Sequence, residues 1–275
     1  YNFLALIRGI GPDQATSAGQ RGQDMARKII SFEVIFLGLV LAAHLFFVLA
    51  PVNWVLDRWF TTDDAFYYYQ VARNILAGNG STFDGINLSN GYHPLWMLVM
   101  LPVFTLAKIN LILPLRVIIF LSALLTAGTG IWIYRILKPV VRPSLAMLAA
   151  FFWAFYLPLH NIVTKQGMET AVNTFAVSLL ILQTARLLSR PPETESARDR
   201  FTLGALAALA LFSRLDNAFL VLVVGLVLLF RTGRRYVYWT GMILVGLLSV
   251  FLAFLLRFDF QREYSAFLPA VYAIL

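Results

Sequence analysis

Eight stretches of this chain run for 13 to 23 residues without one charged side chain: 34–56, 94–107, 117–134, 143–164, 170–185, 201–213, 217–230 and 236–256. Nothing else in the sequence constrains the fold as strongly. Of its 275 residues 60% are apolar and only 13% are charged, whereas an ordinary globular domain carries roughly 25% charged residues. Such a chain cannot cover itself with a polar surface in water. The expected fold class is therefore all-α, a polytopic membrane protein.

Composition removes several chemistries. With no cysteine there is no disulfide framework, no thiolate metal site and no thiol nucleophile. Only three histidines occur, His44, His93 and His160, so no multi-His metal centre is expected. The net charge of +8 reads as cationic loops that fix a membrane orientation, not as a nucleic-acid surface.

The first run, 23 residues long, exceeds a signal-peptide core and can span a bilayer. The run 94–107 has 14 residues, follows His93-Pro94 and contains Pro102. Charge parity decides how to treat it. If it dips in and returns, or lies along the interface, seven spans remain: 32–56, 115–134, 143–160, 170–187, 201–213, 217–230 and 236–256. Then 14 of the 22 basic residues fall on one side, the cytoplasmic one by the positive-inside rule. The other eight are Arg58, Arg73, Lys108, Arg116, Lys165, Arg214, Arg257 and Arg262.

The fifth and sixth spans are short and separated by Ser213-Arg214-Leu215-Asp216. A single helix through them would set Arg214 and Asp216 near the bilayer centre, at roughly 2.5–3.5 kcal/mol each. A hairpin with its tip in an extracytoplasmic cavity is expected instead. The organisation read this way is a cytoplasmic segment 1–31, a seven-helix module 32–257 with a long, partly membrane-embedded first extracytoplasmic loop at 57–114, and a truncated further extracytoplasmic segment at 258–275.

The unusual polar residues then share one side. The first loop holds Asp57, Asp63, Asp64, Arg73, Asp84, Asn90, Tyr92 and His93; later loops hold Lys165, Glu169, Arg214 and Asp216. Each also has a plain structural reading. Asp63 and Asp64 open a helix that Gly78 can close, so they can serve as cap and dipole partners. Its Tyr and Phe rings suit the headgroup region. The turn-rich stretch GSTFDGINLSNGYHPLW at 80–96 can be a surface loop, or a cover over a polar ligand with Asn90, Tyr92 and His93 as hydrogen-bonding groups. Glu169 sits at a helix start, with Lys165 before it as a candidate anion contact. Arg214 and Asp216 can form an ion pair at a hairpin tip. His44 and His160 read as packed, hydrogen-bonded side chains. No P-loop, dinucleotide fingerprint, HExxH or nucleophile elbow is present.

Four of these stretches, DDAFYY at 63–68, the 80–96 loop, GMET at 167–170 and RLD at 214–216, resemble the GT-C class of integral-membrane glycosyltransferases, in particular its bacterial protein-mannosyltransferase-like and aminoarabinose-transferase-like members. The resemblance covers roughly residues 32–260. It implies an inverting glycosyltransferase of the bacterial inner membrane, with seven spans, the N-terminus inside and the site facing outside. The donor would be a sugar on polyprenyl phosphate and the acceptor an extracytoplasmic hydroxyl. An acidic residue of the first loop acts as base, which maps to Asp63 with Asp64 second. Arg73, Asn90, Tyr92, His93, Lys165, Glu169, Arg214 and Asp216 are the expected substrate-binding residues. No cofactor is required; a divalent cation at Asp63/Asp64 stays open. The expected partners are the lipid donor and membrane lipids, with no nucleic acid.

The alternative is a non-catalytic accessory or structural subunit of a larger membrane complex built on the same fold, in contact with other membrane subunits. A retinal-type seven-helix protein fits poorly, because no lysine lies mid-span to form a Schiff base (Lys28, Lys108, Lys138 and Lys165 all fall in loops). A transporter would be expected to show an internal repeat, and none is evident.

Overall fold

Ten α-helices and no β-strand are seen in the computed structural model, which describes residues 32–60 and 62–232. They are α1 (Phe32–Leu49), α2 (Val52–Arg58), α3 (Asp64–Leu76), α4 (Pro94–Thr105), α5 (Leu113–Leu137), α6 (Pro143–Phe155), α7 (Leu157–Val163), α8 (Thr170–Leu188), α9 (Ala197–Ser213) and α10 (Ala218–Thr232).

Three of them, α1, α5 and α8, are long and apolar enough to cross a membrane. A fourth span is available if α6 and α7 count as one helix bent by 58°. The bend has a cause: Pro158 has no N–H to offer the preceding turn, and Tyr156 is extended. Helices α9 and α10, at 17 and 15 residues, do form over two of the expected spans. They fall short of that length, because charged residues open α9 and Arg214 breaks the chain between the two. The run 236–256 lies outside the described residues. What stands of the seven-helix expectation is an all-helical chain with three or four helices fit to span.

Helices α1 and α5 are antiparallel. At one end Arg135 makes a bidentate pair with Glu33 at 2.8 and 2.5 Å. At the other, Arg116 Nη2 lies 3.5 Å from the Ala50 carbonyl. Residues 51–112 therefore leave the bundle and rejoin it at the same end. Helix α4, the one apolar helix in this excursion, has 12 residues, about 18 Å of rise against a hydrocarbon core of ~30 Å. It packs instead on α3 and α9, burying Trp96, Met97 and Met100 completely.

Glycines let the long helices approach. A Cβ on Gly128 would sit 2.5 Å from the Phe175 ring of α8, and one on Gly130 2.6 Å from the Phe36 ring of α1. Between lipid-facing helices close packing of this kind holds contacts together, since lipid is as apolar as the side chains. The second half of the bundle is a cluster of Leu180, Leu187, Leu203, Ala210, Val221 and Leu228 from α8, α9 and α10. Polar bonds at its end fix the α9–α10 break: Asn173 Oδ1 accepts from Ser213 Oγ at 2.9 Å and from Asn217 Nδ2 at 2.6 Å.

Candidate functional site

The site lies at the bundle end that carries the 51–112 excursion, and α3 is its spine. Three consecutive tyrosines cannot share one helical face. Accordingly Tyr68 and Tyr69 turn inward and are buried, while Tyr67 faces outward with Asp63, Asp64, Gln70 and Arg73. The Asp63 carboxylate does not make the usual cap bond to the second or third helical N–H; it accepts from Asp64 N at 3.1 Å. Both carboxylates are exposed.

Two cavities flank this ridge. A smaller one of about 340 Å³ is lined by Asp64, Tyr67, Tyr68, His93 and Glu169. A larger groove of about 710 Å³ has Asp63, Asp64, Gln70 and Arg73 along one wall and Phe83, Phe104, Leu111 and Leu115 among its apolar residues. Asp64 and Tyr67 belong to both, so Asp64 stands on the partition between them.

Behind the smaller cavity lies a closed charge cluster. Glu169 is 2% exposed. It accepts from Tyr68 Oη at 3.0 Å and from Arg214 Nη1 at 3.1 Å. Arg214 turns its Nε and Nη2 to Asp216 at 3.1–3.3 Å. That hydrogen bonding holds the Asp216 carboxyl below, and the Arg214 guanidinium above, their ordinary values. Burial, and secondarily the Glu169 charge, pushes the Tyr68 hydroxyl up. The His93 Nε2 lies 3.5 Å from Glu169. Burial outweighs the attraction of that carboxylate and lowers the imidazole, so His93 is neutral at pH 7 and the contact is not an ion pair.

Besides the Glu169 carboxylate, the segment 164–169 reaches α3 through a backbone carbonyl. Gly167 has φ +71°, and its oxygen accepts from Tyr69 Oη at 3.0 Å and Trp96 Nε1 at 3.2 Å. A Cβ there would meet the Phe60 ring at 2.5 Å and the Tyr69 hydroxyl. Phe60, itself at φ 56°, donates its N–H to the Lys165 carbonyl at 2.7 Å.

The 77–93 loop is pinned by its own side chains. Asn74 Nδ2 donates to the carbonyls of Thr82 and Phe83, each at 2.9 Å. Tyr92 Oη bonds Ser81 Oγ at 2.7 Å, and Tyr67 Oη bonds Ser89 Oγ. Asp84 caps the loop tip by accepting from Ile86 N and Asn87 N, which lowers its carboxyl to about 2.

No family model, curated protein or solved structure matches this chain.

The sequence-derived candidates thus divide. Asp63, Asp64 and Arg73 line the large groove; Asp64, His93 and Glu169 line the small cavity. Arg214 and Asp216 stand behind Glu169, with the guanidinium engaged by two carboxylates. Tyr92 is spent on the loop, and Asn90 lies half-buried at its end, lining neither cavity. Lys165 lines neither cavity and contributes its carbonyl. Among the described residues no three carboxylates or imidazoles converge on a point; a cation at Asp63/Asp64 would draw its other ligands from substrate and water. The composition-level reading missed Tyr68, Tyr69 and Trp96 as the residues that tie the loops together. The Tyr67-Tyr68-Tyr69 run was the available signal, since three large adjacent rings spread over more than half of the helix circumference and cannot all face outward on an amphipathic helix packed on one side.

Proposed function

We propose that the chain is an inverting glycosyltransferase that moves a sugar from a polyprenyl-phosphate donor to an acceptor hydroxyl on the extracytoplasmic side of a bacterial inner membrane. The observation that carries the reading is the partition: one exposed carboxylate, Asp64, borders both a polar cavity and an amphiphilic groove.

The groove suits the donor. Its apolar wall ends on Leu111 and Leu115, at the entry to a spanning helix, where an isoprenyl chain would arrive from lipid. Arg73 lies nine residues after Asp64, about 13 Å along α3, a distance that a phosphosugar and the reach of a guanidinium together bridge. Arg73 is therefore preferred over Lys165 and Arg214 as the phosphate contact. The smaller cavity, with Tyr67, His93 and the Glu169 edge, suits a hydroxylated acceptor. Asp64, with Asp63 beside it, takes the hydroxyl proton as oxygen attacks the anomeric carbon. The bond from that carbon to the phosphate oxygen breaks, and the phosphate leaves with the electron pair, stabilised by Arg73. Attack from the face opposite the phosphate inverts the centre.

Orientation follows from charge. Fourteen of the 22 basic residues lie in 1–31, 135–142, 186–200 and 231–235, and of these the stretches 135–142 and 186–200 sit at helix ends away from the site. By the positive-inside rule that end is cytoplasmic. The mutually engaged Glu169–Arg214–Asp216 cluster favours a second reading, an accessory subunit in which these residues only hold the loops.

In-membrane transfer from a polyprenyl-phosphate sugar distinguishes them. Asp64→Asn should lower turnover by roughly 10²–10⁴-fold with donor binding retained, and Asp63→Asn by less. Full activity in the double Asn variant refutes the carboxylate mechanism.

A further inference from the structure

The side chains around the smaller cavity are short of hydrogen-bond donors. Tyr68 has one hydroxyl hydrogen, and it goes to Glu169 Oε2 at 3.0 Å, while the backbone N–H of His93 donates to the same hydroxyl oxygen at 3.0 Å. Tyr67 Oη is tied to Ser89 Oγ, which uses a hydroxyl hydrogen of that pair. Met168 adds only a thioether, a weak acceptor.

His93 completes the lining. Its Nε2 lies 3.5 Å from Glu169 Oε1, and a carboxylate can only accept. The neutral ring therefore carries its hydrogen on Nε2 and leaves Nδ1 as a bare lone pair. No group among the described residues bonds Nδ1, and Nδ1 is not among the polar atoms buried without a partner. It is open, on a side chain that is 30% exposed and lines the cavity. The Asp64 carboxylate stands one helical turn before Tyr68 and likewise accepts no hydrogen bond among the described residues. The cavity thus offers two free acceptors, and at about 340 Å³ it is many times larger than one water needs.

Charge acts in the same direction. Asp64 and Glu169 are on the wall, with Asp216 behind. The Arg214 guanidinium has Nε, Nη1 and Nη2 all engaged by carboxylates. Arg73 lines the other groove, and Lys165 lines neither. An anion entering here meets carboxylates without a disengaged cation on the wall.

We propose that the smaller cavity takes a polyol without negative charge, one hydroxyl donating to Asp64 and a second to His93 Nδ1, and that it rejects sugars carrying phosphate. The inference rests on the transferase reading and narrows its acceptor. His93 orients the acceptor by its second hydroxyl, and the proton transfer stays with Asp64.

The test uses the whole chain in lipid nanodiscs free of glycoside detergent. The probes are methyl glucoside and methyl galactoside, with the 6-phosphate of each sugar as anionic counterpart. Saturation-transfer NMR reads binding of each glycoside and its displacement by the phosphates; displacement is the measure because Arg73 in the groove can hold a phosphate separately. Transfer to the same probes from a polyprenyl-phosphate sugar is followed in parallel. The expected result is that a neutral glycoside binds and that its phosphate displaces it at least roughly tenfold less well than the neutral sugar does. Asp64→Asn should shrink that gap by removing one repelling charge. His93→Phe should weaken the glycoside roughly 3–10-fold, and His93→Gln, whose amide oxygen can stand in for Nδ1, should recover most of the loss. The wild-type displacement decides if either His93 variant fails to fold. Glycoside binding without transfer by the wild type would remove the transferase reading and leave the non-anionic polyol site standing. Binding of neither glycoside, phosphates that displace as well as the neutral sugars, or full affinity in a folded His93→Phe overturns the proposal, whether or not transfer is seen.

Discussion

Replacing Arg214 by Leu should destabilise the protein more than any other change at the charge cluster, and a second substitution should partly repair it. Glu169 is 2% exposed, with two near partners for its charge: the Tyr68 hydroxyl at 3.0 Å and the Arg214 guanidinium at 3.1 Å. Without the guanidinium a buried carboxylate faces only a neutral hydroxyl and a neutral imidazole. Breaking a fully buried pair costs about 3–5 kcal/mol. The Arg214 side chain is 35% exposed, so water screens part of the loss, and about 2–3 kcal/mol is expected. Glu169→Gln alone leaves Arg214 on Asp216 and keeps an acceptor for Tyr68, so it should cost about 1 kcal/mol. In the Arg214→Leu/Glu169→Gln double variant the stranded charge is gone, and stability should return to within about 1 kcal/mol of Glu169→Gln alone. Unfolding in detergent micelles, followed by tryptophan fluorescence, measures all three. A double variant as unstable as Arg214→Leu refutes the reasoning, because the cost would then come from lost packing and not from an unpaired charge.

Two further predictions bear on the loops. Gly167→Ala must place a Cβ 2.5 Å from the Phe60 ring at φ +71°, and should cost about 2–4 kcal/mol from backbone and overpacking together; Gly78→Ala, at φ +88° with open space around it, should cost only the backbone part of about 1–2 kcal/mol, and thermal unfolding of the two separates these terms. His93, held by burial below its ordinary 6.5, binds its proton later in the folded than in the unfolded chain, so its contribution is complete above pH 6.5 and declines as pH falls through the window below that value; a His93→Asn variant should flatten this part of the stability–pH curve, and an unchanged slope counts against it.

Much of the fold was legible in the sequence for a simple reason. Uncharged runs of membrane length read the same way whatever packs against them, so α1, α5 and α8 fell where the charges end. Helix ends governed by tertiary contacts did not. The 58° bend was signalled only by Pro158 itself, which lies so near the end of the expected span 143–160 that it does not say whether the helix bends there or stops. The two carboxylates of the site were legible from the Asp63-Asp64 pair at a helix start. The pairing of Glu169 with Arg214, 45 residues apart, was not. Both residues were picked out as helix-end charges, and their charge alone did not say that each would be consumed by the other. Likewise Lys165 was a reasonable anion contact by type, yet the positive φ of Phe60 and Gly167 turns its segment so that the carbonyl faces the loop.

The partition of α3 into two faces has a consequence for how such a site changes. Ala65, Tyr68, Tyr69, Val71 and Ala72 are buried and hold the helix on α4 and on the 164–169 strap. Asp63, Asp64, Tyr67, Gln70 and Arg73 face the two cavities. Substitutions on the outer face alter what is bound while the inner face keeps the helix in place, and inner substitutions do the reverse. The division is not complete, since Tyr68 and Tyr69 reach the cavity walls from the inner face, and Tyr67 both lines the two cavities and bonds Ser89 of the covering loop. Tyr67→Phe keeps the ring stacked on Phe83, whose centroid is 5.4 Å away, and removes only the hydroxyl tie. Hydrogen exchange should therefore report faster opening of residues 79–92 in this variant, with α3 itself unchanged. Equal acceleration in α3 and the loop would show that the two faces are not separable, and that the covering loop is part of what folds the helix.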